Sequence, residues 1–307
     1  MSQDTFLITG ANGFLGSRIF EFLLKNDCKV IGCYLNKRNN IDSLKKYENF
    51  RVDKLDITSR KNVKEIFTKH KPNKLINCAA YGILPSNNNE YKILNTNLNG
   101  TFNLIKEANS QKVKRIIHFG SCFEYGSHEG KIKEEFHAQP SNFYGITKLA
   151  CTNLLLHFNK TLKLPIVILR PFGVWGLNES EERLVPQILN ACLKNKNLNL
   201  TLGDQIRDYT YVDDLVRWTL KILNLKNFPS GEIINLGSNS MKVKDFAKLI
   251  AREFQSEHLL KFGELSYRNN EMMELSSDNS KLINLIGKLE ITSINEGLKK
   301  VLIERRN

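Results

Sequence analysis

Residues 6–25 read FLITGANGFLGSRIFEFLLK. Residues 6–9 form a short apolar run, the pattern of a buried strand. Glycines follow at 10, 13 and 16. Ile19, Phe20, Leu23 and Leu24 then recur at helical spacing. A chain passing from strand to helix through such a loop must turn tightly, bring its backbone close to a ligand and pack the helix against the strand, and each glycine serves one of these needs. The helix start offers free N–H groups and the positive end of its dipole to a phosphate. Strand, glycine loop and helix in this order predict dinucleotide binding, with Gly10, Asn12, Gly13, Phe14, Leu15 and Gly16 around the pyrophosphate.

The same alternation continues. Strands are predicted over 29–35, 75–79, 115–119 and 165–170, and helices over 17–26, 62–70, 95–109 and 144–158. Alternating strands and helices give a parallel sheet covered on both faces. Right-handed crossovers make it an α/β, doubly wound sheet whose ligands sit at the carboxyl ends of the strands. After residue 170 the rhythm loosens, with helices over 184–196, 212–225, 243–254 and 293–305 and a short strand over 232–236. Residues 1–170, with 207–237 returning to them, are expected to form the dinucleotide-binding domain. Residues 171–206 and 238–307 are expected to form a smaller, mixed C-terminal substrate-binding lobe, and a lobe over the strand ends makes a cleft for a small molecule.

The chain has 307 residues and a net charge of +13, a size that suits two lobes. No apolar run is long enough for a membrane span, and the start lacks the pattern of a signal peptide, so a cytoplasmic protein with no membrane partner is expected. Lysines are spread along the chain rather than gathered in a stripe. This argues against nucleic acid and suits an anionic small-molecule substrate. The 6 cysteines form no C-x-x-C pair and read as free, mostly buried thiols, and no metal site is expected.

Residues 141–148, SNFYGITK, place Tyr144 and Lys148 one turn apart at the head of a helix. A phenol ordinarily loses its proton near pH ~10. An ammonium one turn away favours the phenolate, which would tune Tyr144 toward acid–base work. Ser121 stands in the turn after the 115–119 strand, where this architecture places functional groups.

The G-x-x-G-x-x-G loop with Tyr144-x-x-x-Lys148 resembles the extended short-chain dehydrogenases/reductases, the nucleotide-sugar epimerases, dehydratases and ketoreductases. The resemblance runs along essentially the whole chain. It implies a Rossmann fold and a catalytic trio of Ser121, Tyr144 and Lys148. Asp56 and Ile57 would lie at the adenine, Ala79, Ala80 and Tyr81 along the cofactor, and Asn97 behind the active site. Tyr81, Ser121, Cys122, Phe123, Gly173, Val185, Arg207, Arg268 and Glu271 would meet a nucleotide-diphosphate sugar, with Arg207 and Arg268 on the phosphates. Relatives usually carry Asn where this chain has Gly173. Asp213 and Asp214 would cap the helix that follows them. Pairing through the helices near 95–109 and 144–158 would give a homodimer.

Tyr34 stands where NAD-using relatives carry Asp, and Asn36, Lys37 and Arg38 follow, with Arg18 also able to reach a 2′-phosphate. These residues favour NADP, with NAD possible. Dehydratases of this kind place Asp-Glu after the catalytic hydroxyl residue, and here Cys122 and Phe123 occupy those places. Reduction by NADPH of a nucleotide-linked 4-keto-6-deoxy sugar at C4 is therefore the leading expectation. Tyr144 would donate the proton and Ser121 hold the same oxygen. A 4-epimerase that retains NAD is the alternative, and a non-catalytic dinucleotide sensor a remote one.

Overall fold

The computed structural model describes residues 4–269 and 271–306. In its first half the elements are β1 (Thr5–Thr9), α1 (Phe14–Lys25), β2 (Lys29–Tyr34), β3 (Val52–Lys54), α2 (Arg60–His70), β4 (Lys74–Asn77), α3 (Glu90–Leu94), α4 (Thr101–Ser110), β5 (Arg115–Phe119), β6 (Lys131–Ile132) and α5 (Phe143–Leu162). The second half adds β7 (Ile166–Pro171), β8 (Val174–Trp175), α6 (Leu184–Lys194), β9 (Leu198–Leu200), β10 (Ile206–Asp208), β11 (Thr210–Tyr211), α7 (Val212–Asn224) and β12 (Ile233–Leu236). It ends with β13 (Ser240–Lys242), α8 (Val243–Arg252), β14 (Leu260–Phe262), β15 (Glu274–Ser277), α9 (Ser280–Ile286) and α10 (Ile294–Arg306).

Seven strands form a parallel sheet in the order β12-β7-β5-β4-β1-β2-β3. The doubly wound arrangement expected from the sequence is present. The strands are continuous apolar runs because helices cover both faces. Leu7, Leu75, Ile116, Ile166 and Ile168 pack with Phe67, Leu104 and Leu155 in one core. Each such fully buried side chain contributes about 1.5–3 kcal/mol. The strand order reverses between β1 and β4, and the loops after these two strands meet there: a Cβ built on Gly10 would lie 3.0 Å from the Ala79 backbone nitrogen.

Two compact units are distinguished. The first comprises residues 1–124, 140–170 and 216–234, and the second 125–139, 171–215 and 235–307. Close packing thus groups 125–139, 207–215 and 235–237 with the second unit, whereas the sequence alone places them with the first. In the second unit, β13-β10-β15-β6 form a small mixed sheet, and β11-β8 and β14-β9 form two-stranded pairs. Trp175, Val185, Ile188, Leu189, Phe246, Ile250 and Leu298 fill its core.

Asp208, at the end of β10, is 1% exposed. Its Oδ2 accepts hydrogen bonds from the Ser277 backbone N–H and hydroxyl, and its Oδ1 has no partner among the described residues. Burial pushes its pKa from the usual 3.8 up to about 7, against the opposing pull of the Ser277 hydrogen bonds. The folded state therefore holds a proton that the unfolded chain gives up near pH 4. This contribution to stability is complete below that pH and is lost as the pH rises through about 7. Asp208→Asn removes the titration. Between pH 5 and pH 8 the wild type should lose on the order of 2 kcal/mol more stability than Asp208→Asn, read from urea unfolding at both pH values. Parallel losses in the two proteins would refute this account.

Candidate active site

The glycine loop has the geometry its spacing predicts. Gly10 has φ +64°, and a Cβ at Gly16 would come within 2.2 Å of the Gly10 carbonyl oxygen, so neither position tolerates a side chain. Helix α1 starts at Phe14 with Gly13 as its N-cap, and no side chain caps it. An uncapped helix start beside a tight glycine turn accepts a phosphate, so these residues fit a dinucleotide. The Asn12 amide donates to the Asn36 carbonyl, which ties the loop to the segment after β2. β2 ends on the half-buried Tyr34, and the segment after it holds the exposed Lys37 and Arg38. Lys37 lies 3.5 Å from Asp42. Arg18 is buried on α1 with its guanidinium 2.6 Å from Glu21, so the reach toward a 2′-phosphate anticipated for it competes with this ion pair.

After β4, the Ala79 N–H donates to the Thr9 hydroxyl, Ala80 is exposed, and the Lys92 ammonium lies 4.4 Å from the centre of the Tyr81 ring. Residues Asn95–Gly100 form a π-helical turn between α3 and α4. Such turns re-aim a side chain. Here the buried Asn97 amide accepts from the Tyr81 N–H and donates to the Tyr81 carbonyl and the Thr147 hydroxyl. Asn97 thereby joins the loop after β4 to α5. The Asp56 carboxylate accepts from the backbone and hydroxyl of Thr58, and Ile57 is buried, with its side chain within 2.6 Å of where a Gly100 Cβ would stand.

Ser121, Tyr144 and Lys148 all lie in the first unit, two of them at the head of α5 and one in the turn after β5. The Asn142 side chain caps α5 by accepting from the Gly145 N–H at 2.8 Å. The Ser121 turn is fixed by Glu124, which is fully buried. One carboxylate oxygen accepts from the Ser121 N–H at 2.8 Å, and the other accepts from the Arg170 Nε and Nη2 and from the Thr152 hydroxyl. Sequence reasoning missed this arrangement. Its one signal was an acidic residue three positions after Ser121 with an arginine ending a neighbouring strand. Cys122 is buried, and Phe123 meets the Tyr144 ring edge-on at 6.2 Å between centroids.

The expected lowering of the Tyr144 pKa by Lys148 is not what the structure gives. Dense protein around the half-buried phenol penalises its ionised form and raises its pKa, the nearby Cys122 and Glu124 add to the rise, and the Ser121 side chain opposes it. Burial likewise lowers the pKa of Lys148, whose Nζ donates to the Phe119 carbonyl and lies 3.4 Å from the His118 Nε2. Desolvation sets the direction of both shifts, whereas the sequence argument considered only an attraction between the two groups.

In the second unit, Arg207 and Glu271 come together, with a guanidinium-to-carboxylate distance of 2.8 Å, while Arg268 is exposed. Gly173 offers no side chain, and a Cβ there would strike the Asp208 carbonyl oxygen at 1.8 Å, so the usual Asn cannot be accommodated. Val185 is buried in the apolar core. The Asp214 carboxylate accepts from the backbone N–H and hydroxyl of Thr292, an anchor in addition to its place in the first turn of α7. The cysteines within the described residues are free, and no group of three His, Cys, Asp or Glu side chains is placed there to hold a metal. No described helix is long and apolar enough to cross a membrane.

Comparison with known proteins agrees with this geometry. The chain is 28% identical over 311 residues to UDP-glucuronate 4-epimerase of Thermodesulfobacterium geofontis, covering 97% of this chain and 94% of the relative. It is 25% identical over 287 residues to GDP-6-deoxy-D-talose 4-dehydrogenase of Aggregatibacter actinomycetemcomitans, covering 92% and 90%. The crystal structure of UDP-glucuronic acid 4-epimerase from Bacillus cereus, in complex with UDP-glucuronic acid and NAD, superposes with a TM-score of 0.90 at 26% identity, over 99% of this chain and 100% of that one. Residues 6–237 match the model of one family along most of the chain, and the protein belongs to that NAD dependent epimerase/dehydratase family of sugar-nucleotide oxidoreductases.

Proposed function

We propose that the chain is an NADP(H)-dependent 4-ketoreductase of a nucleotide-diphosphate-linked 4-keto-6-deoxy sugar. The observation that carries this reading is the turn after β5. Cys122 and Phe123 follow Ser121, and the one carboxylate nearby, Glu124, is buried and held by Arg170. No acid–base pair is left there for removing water, which speaks against a dehydratase. The absence of an acidic residue at the end of β2, with Lys37 and Arg38 just beyond, supports NADP over NAD. A relative that is a 4-dehydrogenase of a 6-deoxy sugar nucleotide supports redox chemistry at C4.

A bound dinucleotide supplies the hydride. The start of α1 binds its pyrophosphate through backbone N–H groups, and Lys37 and Arg38 meet the 2′-phosphate. Tyr144 holds a proton on its phenol oxygen and donates it to the oxygen forming at C4. The raised pKa keeps this phenol protonated, the form that reduction needs. The Ser121 hydroxyl holds the same substrate oxygen, and Lys148 orients the ribose. Arg207 and Arg268 grip the diphosphate, so that binding energy far from C4 orients the sugar. The second reading, a 4-epimerase retaining NAD, is favoured by the match to UDP-glucuronate 4-epimerase along 97% of the chain. Free thiols and a nicotinamide cofactor suit a cytoplasmic enzyme. Exposed Tyr91, Leu94, Phe102 and Ile146 on α3, α4 and α5 suit a homodimer through that face.

Mass spectrometry of the purified protein should find no tightly retained NAD, and titration should give NADPH at least about tenfold tighter binding than NADH, a gap that Lys37→Ala with Arg38→Ala closes. Retained NAD would establish the epimerase reading instead. Tyr144→Phe should lower kcat by roughly 10²–10⁴-fold while leaving the NADPH dissociation constant within about twofold. A variant that turns over normally would remove Tyr144 from the chemistry. For the assembly, light scattering should find a dimer that Phe102→Glu with Ile146→Glu converts to monomer; a wild-type monomer would end that part of the proposal.

A further inference from the structure

Thr9 on β1, Asn77 on β4 and His118 on β5 occupy paired register positions across the sheet. All three are buried, and their hydrogen bonds run in one direction. The Thr9 hydroxyl accepts from the Ala79 N–H at 3.2 Å and donates to Asn77 Oδ1 at 2.6 Å, a separation that fits an O–H···O bond and is short for N–H···O. Asn77 must then turn its Nδ2 to the other side, where it donates to His118 Nδ1 at 3.0 Å and lies 3.4 Å from the Thr101 hydroxyl. A ring nitrogen that accepts a hydrogen bond carries no proton. The imidazole is therefore neutral, with its proton on Nε2. An imidazolium would set N–H against N–H at Asn77. Nε2 faces Lys148 Nζ at 3.4 Å.

We infer that His118 is a positioning residue for Lys148. Its Nε2–H, held in place by the Thr9–Asn77 chain, favours the neutral amine at Nζ, and Lys148 takes up a proton from solvent when an anionic dinucleotide binds. An ammonium has three donors and no acceptor, so it cannot receive the imidazole N–H, whereas a neutral amine can. The other titratable groups facing Lys148 do not replace this effect. Cys78 after β4 and Cys151 on α5 are thiols that burial keeps protonated, Glu124 is paired with Arg170, and Tyr144 lies one turn back on α5. Burial also disfavours charge on both His118 and Lys148. The proton uptake rests on the proposed dinucleotide site; the imidazole tautomer does not.

Nitrogen-15 spectra of the histidine-labelled chain without cofactor read the tautomer directly. The His118 resonances, assigned by replacing the other histidines one at a time, should show a bare Nδ1 and a protonated Nε2 from pH 6 to pH 8. A proton on Nδ1, or a charged ring at pH 6, overturns the inference. Calorimetric titration of NADPH in buffers of different ionisation enthalpy should then show net proton uptake at pH 8. In His118→Gln the side-chain carbonyl accepts from an ammonium, so Lys148 is already charged and the uptake should fall several-fold while binding persists. Binding with equal uptake in both proteins also overturns the inference. Absence of any dinucleotide binding would instead refute the proposed function, and the spectra would still decide the tautomer.

Discussion

The candidate active site depends on one carboxylate removed from water. Glu124 spans the turn after β5, α5 and β7 through hydrogen bonds to Ser121, Thr152 and Arg170. A buried charge costs several kcal/mol to desolvate and is tolerated only when it is paired and hydrogen-bonded, as this one is. Breaking such a pair by removing one partner typically costs about 3–5 kcal/mol, because the other charge is left buried and unpaired. The Ser121 backbone is thus held by an interaction that cannot relax without exposing or stranding a charge.

A second fixed point is Asn97. Placing it on the π-helical turn lets one amide serve both the loop after β4 and α5. Without the extra residue in that turn, the side chain would lie on another part of the helix surface. Local irregularity in an otherwise regular helix is here the means of tying the loop after β4 to α5.

Much of this was legible in the sequence because it rests on local rules. The strand at 6–9, the glycine turn and the helix after it are decided by backbone geometry within one stretch, and Tyr144 and Lys148 by helical spacing. What escaped was non-local. Strands such as β8, β10 and β11 are two or three residues long, too short to carry a period, and exist because a partner strand lies alongside. Glu124 gains its meaning from Arg170, far along the chain. The sense of the Tyr144 shift depends on how much protein surrounds the phenol, which spacing does not disclose. At Gly173 the departure from the usual Asn was visible, but its reason, contact with the Asp208 carbonyl, was not.

The band of polar side chains crossing β1, β4 and β5 bears on how the sheet assembles. Parallel strands rich in Ile and Leu are nearly as apolar one residue out of step as in step, so hydrophobicity alone discriminates poorly between alignments. Thr9, Asn77 and His118 find one another only when the three strands are correctly aligned. A slip by a single residue would leave each as an orphan inside an oily layer, at about 1–3 kcal/mol apiece. The band therefore works as a vernier that rejects misaligned sheets as the chain folds.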